Sequence, residues 1–507
     1  MRKANRLIIS NSIYLYIRLI IVSLIGLVVT RLVLKNLGIN DFGIFTVVGG
    51  VVSLIGFVNT VMLSTSNRFI AYELGKGTIV SINKIFNISF NIHLFIAVGI
   101  FLIGLPLGEW YIHHYINIPP EKLTDAIWVL RFSLLGSVIS FIGVPYKGLL
   151  IAKENFSLIT IVEIVVSICK LIIAYIIGFI ASQRLISYSA LLAFVTVFPT
   201  ILYVIYSRKN DFELVRYKIF KKWNDYKVIF SFSIWVGYGA LASVGKAQGA
   251  NLLINYFFGA TLNAALGIAS TVNAIVLNFA RSVGRAISPQ ITKSYAAGEI
   301  KRTEDLVIAA SKYTFLLLLI PALPIFLEIE YVLNLWLVDV PMHTANFIRL
   351  ILIDVLIGSL NAGVPEAIFA SGKIKWYQII VNTIFLFSLP VAFFVLKHGA
   401  KPEALLYTYI GISLLALVIR QIILYYVVHF NTKRLLLKSY LPSIIVVSSL
   451  SPLFFLTYGH IHPIVVMIIA EIYLVLAIIG IGFNKQERGF IFKIMHSVVA
   501  KIKKGHV

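Results

Sequence analysis

Long apolar runs alternate along the chain with short polar interruptions, most of them basic. Blocks such as 13–34, 88–107 and 228–244 carry few charges and are about as long as a helix that crosses a hydrocarbon core, which takes roughly 20 residues. This pattern predicts spans at 12–34, 44–63, 86–107, 126–144, 158–180, 186–206, 228–254, 264–280, 309–327, 345–363, 379–396, 405–427, 440–456 and 464–482. Strands with a dyad alternation, as a membrane barrel needs, are absent from the pattern. The expectation is an all-α integral membrane protein with about fourteen transmembrane helices.

The polar interruptions change the picture by their sign. With the N-terminus in the cytoplasm, the loops on the other side hold only Lys35, Lys122, Arg184, Lys397 and Lys401, while the inner segments are rich in Lys and Arg. That asymmetry orients the chain with both termini inside. The net charge of +23 over 507 residues would suggest nucleic acid in a soluble chain, but here loop topology accounts for it, so no nucleic-acid partner is expected. Composition agrees: 59% hydrophobic and 13% charged residues leave too little polar surface to keep such cores in water. The basic start, Met1-Arg2-Lys3, precedes a first span too long for a signal sequence, which is read as a retained helix.

An internal repeat runs at a period near 220. Val144-Pro145-Tyr146-Lys147-Gly148 and the residues up to Lys153 align with Val364-Pro365-Glu366-Ala367-Ile368 and the residues up to Lys373. Leu37-Gly38 through Gly43 has a weaker echo in Phe258-Gly259 through Ala264. Glu73-Leu74-Gly75 echoes in Ala297-Gly298-Glu299, and Ile118-Pro119 in Val340-Pro341. The period holds an even number of spans, so both copies face the same way, a parallel repeat about an axis along the membrane normal. The expected organisation is an N-terminal lobe at 1–206, a basic cytoplasmic linker at 207–227, a C-terminal lobe at 228–427, two further helices within 428–482 and a basic tail at 483–507. In that tail Ile491, Ile494, Met495, Val498 and Ile502 share one helical face, which fits either a helix lying on the anionic inner leaflet or a solvated basic tail.

Charges inside spans cost several kcal/mol, roughly 2.5–3.5 each at a span centre, so those present usually face a bundle interior or a water-filled cavity. The bases are Arg18, Arg31, Arg131, Lys170, Lys246, Arg349 and Arg420, and the acids are Glu163, Asp354 and Glu471. Arg31 and Arg349 stand near outer span ends and fit snorkelling equally well. Glu163 and Lys170 share a helical face seven residues apart and fit mutual neutralisation through a neighbour. The three acids fit either ion coupling, with a proton or Na⁺, or structural counter-ions. The surplus of bases suits an anionic cargo, and guanidinium forks match phosphate oxygens. A cavity for cationic drugs would carry the opposite sign. Trp110, Trp128, Trp223, Trp336 and Trp376 mark the interfacial belt, and Pro321, Pro324 and Pro390 are candidate kinks.

Enzymatic chemistry finds little support. Cys169 is the single cysteine and lies in a span, while His93, His398 and His429 are scattered without metal-ligand spacing, so neither a metal nor another cofactor is expected. The longest outer loop, 108–125, leaves no room for a catalytic domain such as a glycan polymerase or ligase would need.

Several short motifs, in order, carry a resemblance. Arg31-Leu32-Val33-Leu34-Lys35-Asn36-Leu37-Gly38 through Asp41-Phe42-Gly43 resembles the first outer turn of polysaccharide-export flippases, the Wzx-type O-antigen and repeat-unit transporters. Arg68-Phe69-Ile70-Ala71-Tyr72-Glu73-Leu74-Gly75 resembles their first inner loop, and Leu333-Asn334-Leu335-Trp336 through Pro341 the segment before their tenth helix. That family shares a superfamily with the MATE multidrug exporters and the peptidoglycan-precursor flippase. The resemblance implies a two-lobe fold opening alternately to each side of a bacterial inner membrane. The implied cargo is an undecaprenyl-pyrophosphate-linked oligosaccharide, for O-antigen, lipopolysaccharide or capsule synthesis. Membrane lipids and the polymerase and chain-length proteins of the same pathway are the implied partners. A MATE-like multidrug exporter is the second reading.

Overall fold

The structure is a computed structural model and describes residues 2–76, 78–458 and 461–489. Every regular element among them is helical. In chain order these are α1 (Arg2–Leu37), α2 (Ile39–Lys76), α3 (Ile79–His114), α4 (Leu123–Ala152), α5 (Phe156–Ile176), α6 (Arg184–Asn210), the single turn α7 (Phe212–Val215), α8 (Trp223–Phe258) and α9 (Ala260–Ala296). There follow α10 (Ile300–Leu327), the short α11 (Ile329–Trp336), α12 (Thr344–Ser359), α13 (Val364–Ala370), α14 (Ile374–Lys397), α15 (Ala404–Val428), α16 (Thr432–Leu435), α17 (Leu441–Ser449) and α18 (Pro463–Ala477). Among the described residues, 12 helical stretches are long and apolar enough to cross a membrane. The helices α2 and α8, with 38 and 36 residues, add two more of sufficient length. The fourteen expected spans are thus all helical, although most helices overrun the apolar core into the loops. The expected amphipathic face from Ile491 to Ile502 lies outside the described residues.

Two compact units form. Unit 1 takes residues 1–271, 336–344 and 378–408; unit 2 takes 272–335, 345–377 and 409–507. In unit 1, Ile44, Val47 and Val48 put one face of α2 against Ile112 of α3, Val129 and Leu130 of α4 and Leu185 of α6. A second cluster sets Ile70 of α2 and Phe86 of α3 against Tyr146 and Leu149 of α4, Ile159 of α5 and Tyr203 of α6. In unit 2 the buried helix is α10, whose most apolar window is 67% buried, against 28% for α15, which shows far more of its surface.

Two glycines explain how the turns close. Gly38 and Gly259, at matching points of the repeat, hold φ of +82° and +81°, a left-handed conformation that a Cβ disfavours. Gly43 allows a backbone contact, because a Cβ there would stand 1.8 Å from the carbonyl oxygen of Ala260.

The strongest repeated block, by contrast, has two backbone outcomes. Pro145 sits inside the continuous α4, whereas Pro365 opens α13 after a break between Ser359 and Val364. Both copies read Gly-Val-Pro, so the local sequence does not decide this. In the second copy Asn361 sits in the break and accepts hydrogen bonds from Tyr440 (3.2 Å) and Gln421 (3.3 Å).

The segment 207–227 is held down as a strap. Asn83, Asn87 and Asn91, at successive turns of α3, line up beneath it. Asn83 donates to the carbonyls of Glu213, Leu214 and Arg216, at 3.1, 3.1 and 2.8 Å. Asn87 donates to the carbonyl of Arg216 (3.0 Å) and accepts from the amide of Lys218 (3.0 Å). Asn91 accepts from the Tyr217 hydroxyl (3.2 Å) and donates to that of Tyr226 (3.1 Å).

Candidate functional site

Three helices of unit 1, α1, α4 and α5, bring the charges Arg18, Lys147 and Glu163 together. Arg18 of α1 donates to Glu163 Oε2 of α5 at 2.5 Å, and Lys147 of α4 donates to Glu163 Oε1 at 3.0 Å. The three side chains keep 26%, 31% and 29% of their surface exposed, so the group is reachable rather than sealed. Tyr203 of α6 lies within electrostatic reach of Glu163 and Arg18. Its buried hydroxyl has no hydrogen-bond partner among the described residues. One carboxylate shared by two bases leaves one positive charge uncompensated among the described residues. An arriving phosphate oxygen could complete the group through the remaining guanidinium N–H donors.

The helix α4 supplies Lys147 at the end where Pro145 lies, within a stretch in which Val144, Tyr146, Gly148 and Leu149 are all buried. The lysine is therefore positioned by a packed helix rather than by a mobile loop. Sequence reading had assigned Lys147 to an inner loop and missed it. Its place beside Pro145 in the repeat block was the available signal.

The other candidate bases are dispersed. Arg131 pairs with Glu109 (2.7 Å) and stacks over Trp128 at 5.0 Å. Lys246 lies 5.2 Å above the Phe385 ring. Arg31 and Lys170 are exposed, and Lys170 has no polar partner among the described residues. Glu163 therefore engages Arg18 and Lys147, and no contact with Lys170 is seen. In unit 2, Arg349 donates to the carbonyl of Phe326 (3.2 Å) and to Glu330 (3.4 Å).

Arg420 belongs to a second polar group, also in unit 2. Its guanidinium lies 6.0 Å from the Tyr377 ring centroid and hydrogen-bonds the Tyr377 hydroxyl, with Glu366 in electrostatic range. Its neighbour Gln421 donates to the Tyr440 hydroxyl at 2.6 Å. Glu366, which sequence reading did not single out, has one buried carboxylate oxygen without a hydrogen-bond partner among the described residues. Among the acids expected to couple ions, Asp354 accepts from Ser413. Glu471 has a buried oxygen lacking a hydrogen-bond partner among the described residues. No cluster of His, Cys, Asp and Glu able to hold a metal occurs among the described residues.

These features belong to a multi-pass membrane protein of the MATE-like fold class. Residues 15–176 match the MatE family model, and that segment contains the whole Arg18–Lys147–Glu163 group. The structure is similar to the lipid II flippase MurJ in an inward closed conformation, with 14% identity, a TM-score of 0.65 and coverage of 92% of this chain and 98% of that one. It is also similar to the MATE multidrug transporter DinF-BH in complex with R6G, with 16% identity, a TM-score of 0.59 and coverage of 83% of this chain and 95% of that one. An inward-facing multidrug resistance MATE family transporter of the MOP superfamily matches at 12% identity and a TM-score of 0.59, covering 80% of this chain and 92% of that one. No curated protein sequence matches the chain. At these identities the likeness establishes the fold, one that flippases and transporters share.

Proposed function

We propose that the protein is a flippase moving undecaprenyl-pyrophosphate-linked oligosaccharide repeat units between leaflets of a bacterial inner membrane by alternating access. The observation that carries this reading is the reachable Arg18–Lys147–Glu163 group, with two bases on one carboxylate. A diphosphate headgroup supplies the missing negative charge, and the polyprenyl tail stays in lipid while the sugars cross. The surplus of intramembrane bases over acids supports the same sign of cargo. The similarity to the lipid II flippase over 92% of the chain is consistent with a lipid-linked substrate. Glu163 acts here as a structural counter-ion, since both its oxygens are engaged, while Asp354 and Glu471 remain the candidates for ion coupling.

A multidrug exporter is the second reading, favoured by the similarity to DinF-BH. A cavity for organic cations would gain from acids in excess, and the Arg18 group has the opposite balance. The test is translocation in proteoliposomes of a fluorescent polyprenyl-pyrophosphate-linked sugar against a cationic dye. The Arg18→Gln and Lys147→Gln variants should each lower lipid-linked sugar flipping at least ten-fold while the protein inserts and purifies normally. Wild-type flipping by both variants, or dye export with no sugar flipping, would overturn the reading.

A further inference from the structure

The strap over α3 roofs a cavity of about 520 Å³ in unit 1, apart from the Arg18 group. Its charged lining residues are Arg208 and Arg216, and no acid lines it. Neither arginine makes an ion pair among the described residues, though Arg208 lies within electrostatic range of the Tyr146 hydroxyl. Of the acids of the strap, Asp211 is engaged by Lys153 and Asp225 by Lys84, while Glu213 is exposed and outside the lining. Apart from Asn87, the remaining wall is aromatic and apolar, with Phe86, Phe90 and Leu94 at successive turns of α3. The same i, i+4 row continues beyond the cavity through Val98 and Leu102, 49% and 65% exposed, as a ridge that winds around the helix. The strap itself exposes Phe212, Tyr217, Ile219 and Trp223 beside its lysines, the composition of an element resting at a membrane interface.

A paired guanidinium mouth opening onto an apolar track fits a phosphate attached to a hydrocarbon chain. We infer that this cavity is a resident site for an anionic glycerophospholipid, its phosphate between Arg208 and Arg216 and one acyl chain along Phe90, Leu94, Val98 and Leu102. The size suits one small headgroup and not an oligosaccharide, since pockets of about 300–1,000 Å³ hold single small molecules. The asparagine ladder holds the roof fixed, as a resident ligand needs and a passing cargo does not. The inference therefore holds whichever cargo the protein moves.

The test is native mass spectrometry of the full-length protein titrated with phosphatidylglycerol, phosphatidylcholine or inorganic phosphate. One phosphatidylglycerol should bind at least ten-fold more tightly than phosphatidylcholine, and the Arg208→Gln/Arg216→Gln double variant should lose that preference. Both arginines are exposed, so the variant should keep its melting temperature. The Lys221→Gln/Lys222→Gln variant, equally basic in origin but outside the cavity, should bind as wild type. Equal phosphatidylglycerol binding by the arginine variant would overturn the site. Equal loss in the lysine variant would reduce it to general surface charge. Full competition by inorganic phosphate would make it a free-phosphate site, and preferential displacement by polyprenyl pyrophosphate would make it a cargo site.

Discussion

Lys312 stands in α10 with only 4% of its side chain exposed, a cation in a membrane-crossing helix that is tenable only because Glu487 meets it at 2.7 Å. Tyr313 donates to the other carboxylate oxygen at 2.8 Å, and the Asn484 amide donates to the first at 2.7 Å. Breaking a buried pair from one side typically costs about 3–5 kcal/mol, because the partner charge is stranded. Lys312→Met should therefore lower the melting temperature in detergent strongly, and adding Glu487→Gln should restore much of the loss. A double variant as unstable as the sum of the singles would refute the coupling. Glu487 lies just past the last span. Partial burial pushes its carboxyl up, but the hydrogen bonds from Lys312, Asn484 and Tyr313 outweigh that and hold it below the ordinary 4.5. A depressed acid contributes stability that is fully present above its unfolded value and is lost as pH falls through the folded one. Melting temperature should thus fall on acidification below about pH 4.5, with a smaller fall in Glu487→Gln. At this scale the sequence revealed which residue types were out of place in lipid, but not their partners. Arg131, for example, meets its partner in Glu109, 22 residues away.

Among the elements, the strap and the α2–α9 contact rest on identifiable side chains. Asn87 bridges α3 to both Arg216 and Lys218, and a buried amide stripped of such a role leaves backbone groups without partners. Asn87→Ala should expose the strap to trypsin at Arg216, Lys218 and Lys221, read as several-fold faster cleavage of the protein in detergent. Unchanged cleavage would mean that the strap is held elsewhere. Gly43→Ala should sharply reduce folded yield, because the new Cβ meets the Ala260 carbonyl, while Gly26→Ala, with nothing within 4 Å, should be silent in the same size-exclusion assay. The weak echo Gly38/Gly259 proved to mark one shared turn, since only glycine takes that φ comfortably. The stronger Val-Pro block marked two different backbones. Proline disfavours helix before it without forbidding it, so the neighbours of Asn361 settled the break.

For the whole molecule, topology is the property most open to direct measurement. In a Cys169→Ser background, Asn210→Cys should react with an impermeant thiol reagent only from the cytoplasmic side, and Lys397→Cys only from the outside, both positions being exposed. Labelling of both from one side would break the orientation drawn from loop charge.

The series of about fourteen apolar helical segments and the uneven spread of basic residues among the segments between them were legible in the sequence alone. Hydropathy and loop charge are sums over neighbouring residues, and the bilayer responds to them segment by segment. Which charge meets which was decided only by tertiary structure. Arg18 finds Glu163 across 145 residues and Lys312 finds Glu487 across 175, distances over which no local pattern carries information. The same holds for the asparagine ladder, whose regular spacing on α3 is plain in the chain but acquires a purpose only when residues 213–218 are laid across it.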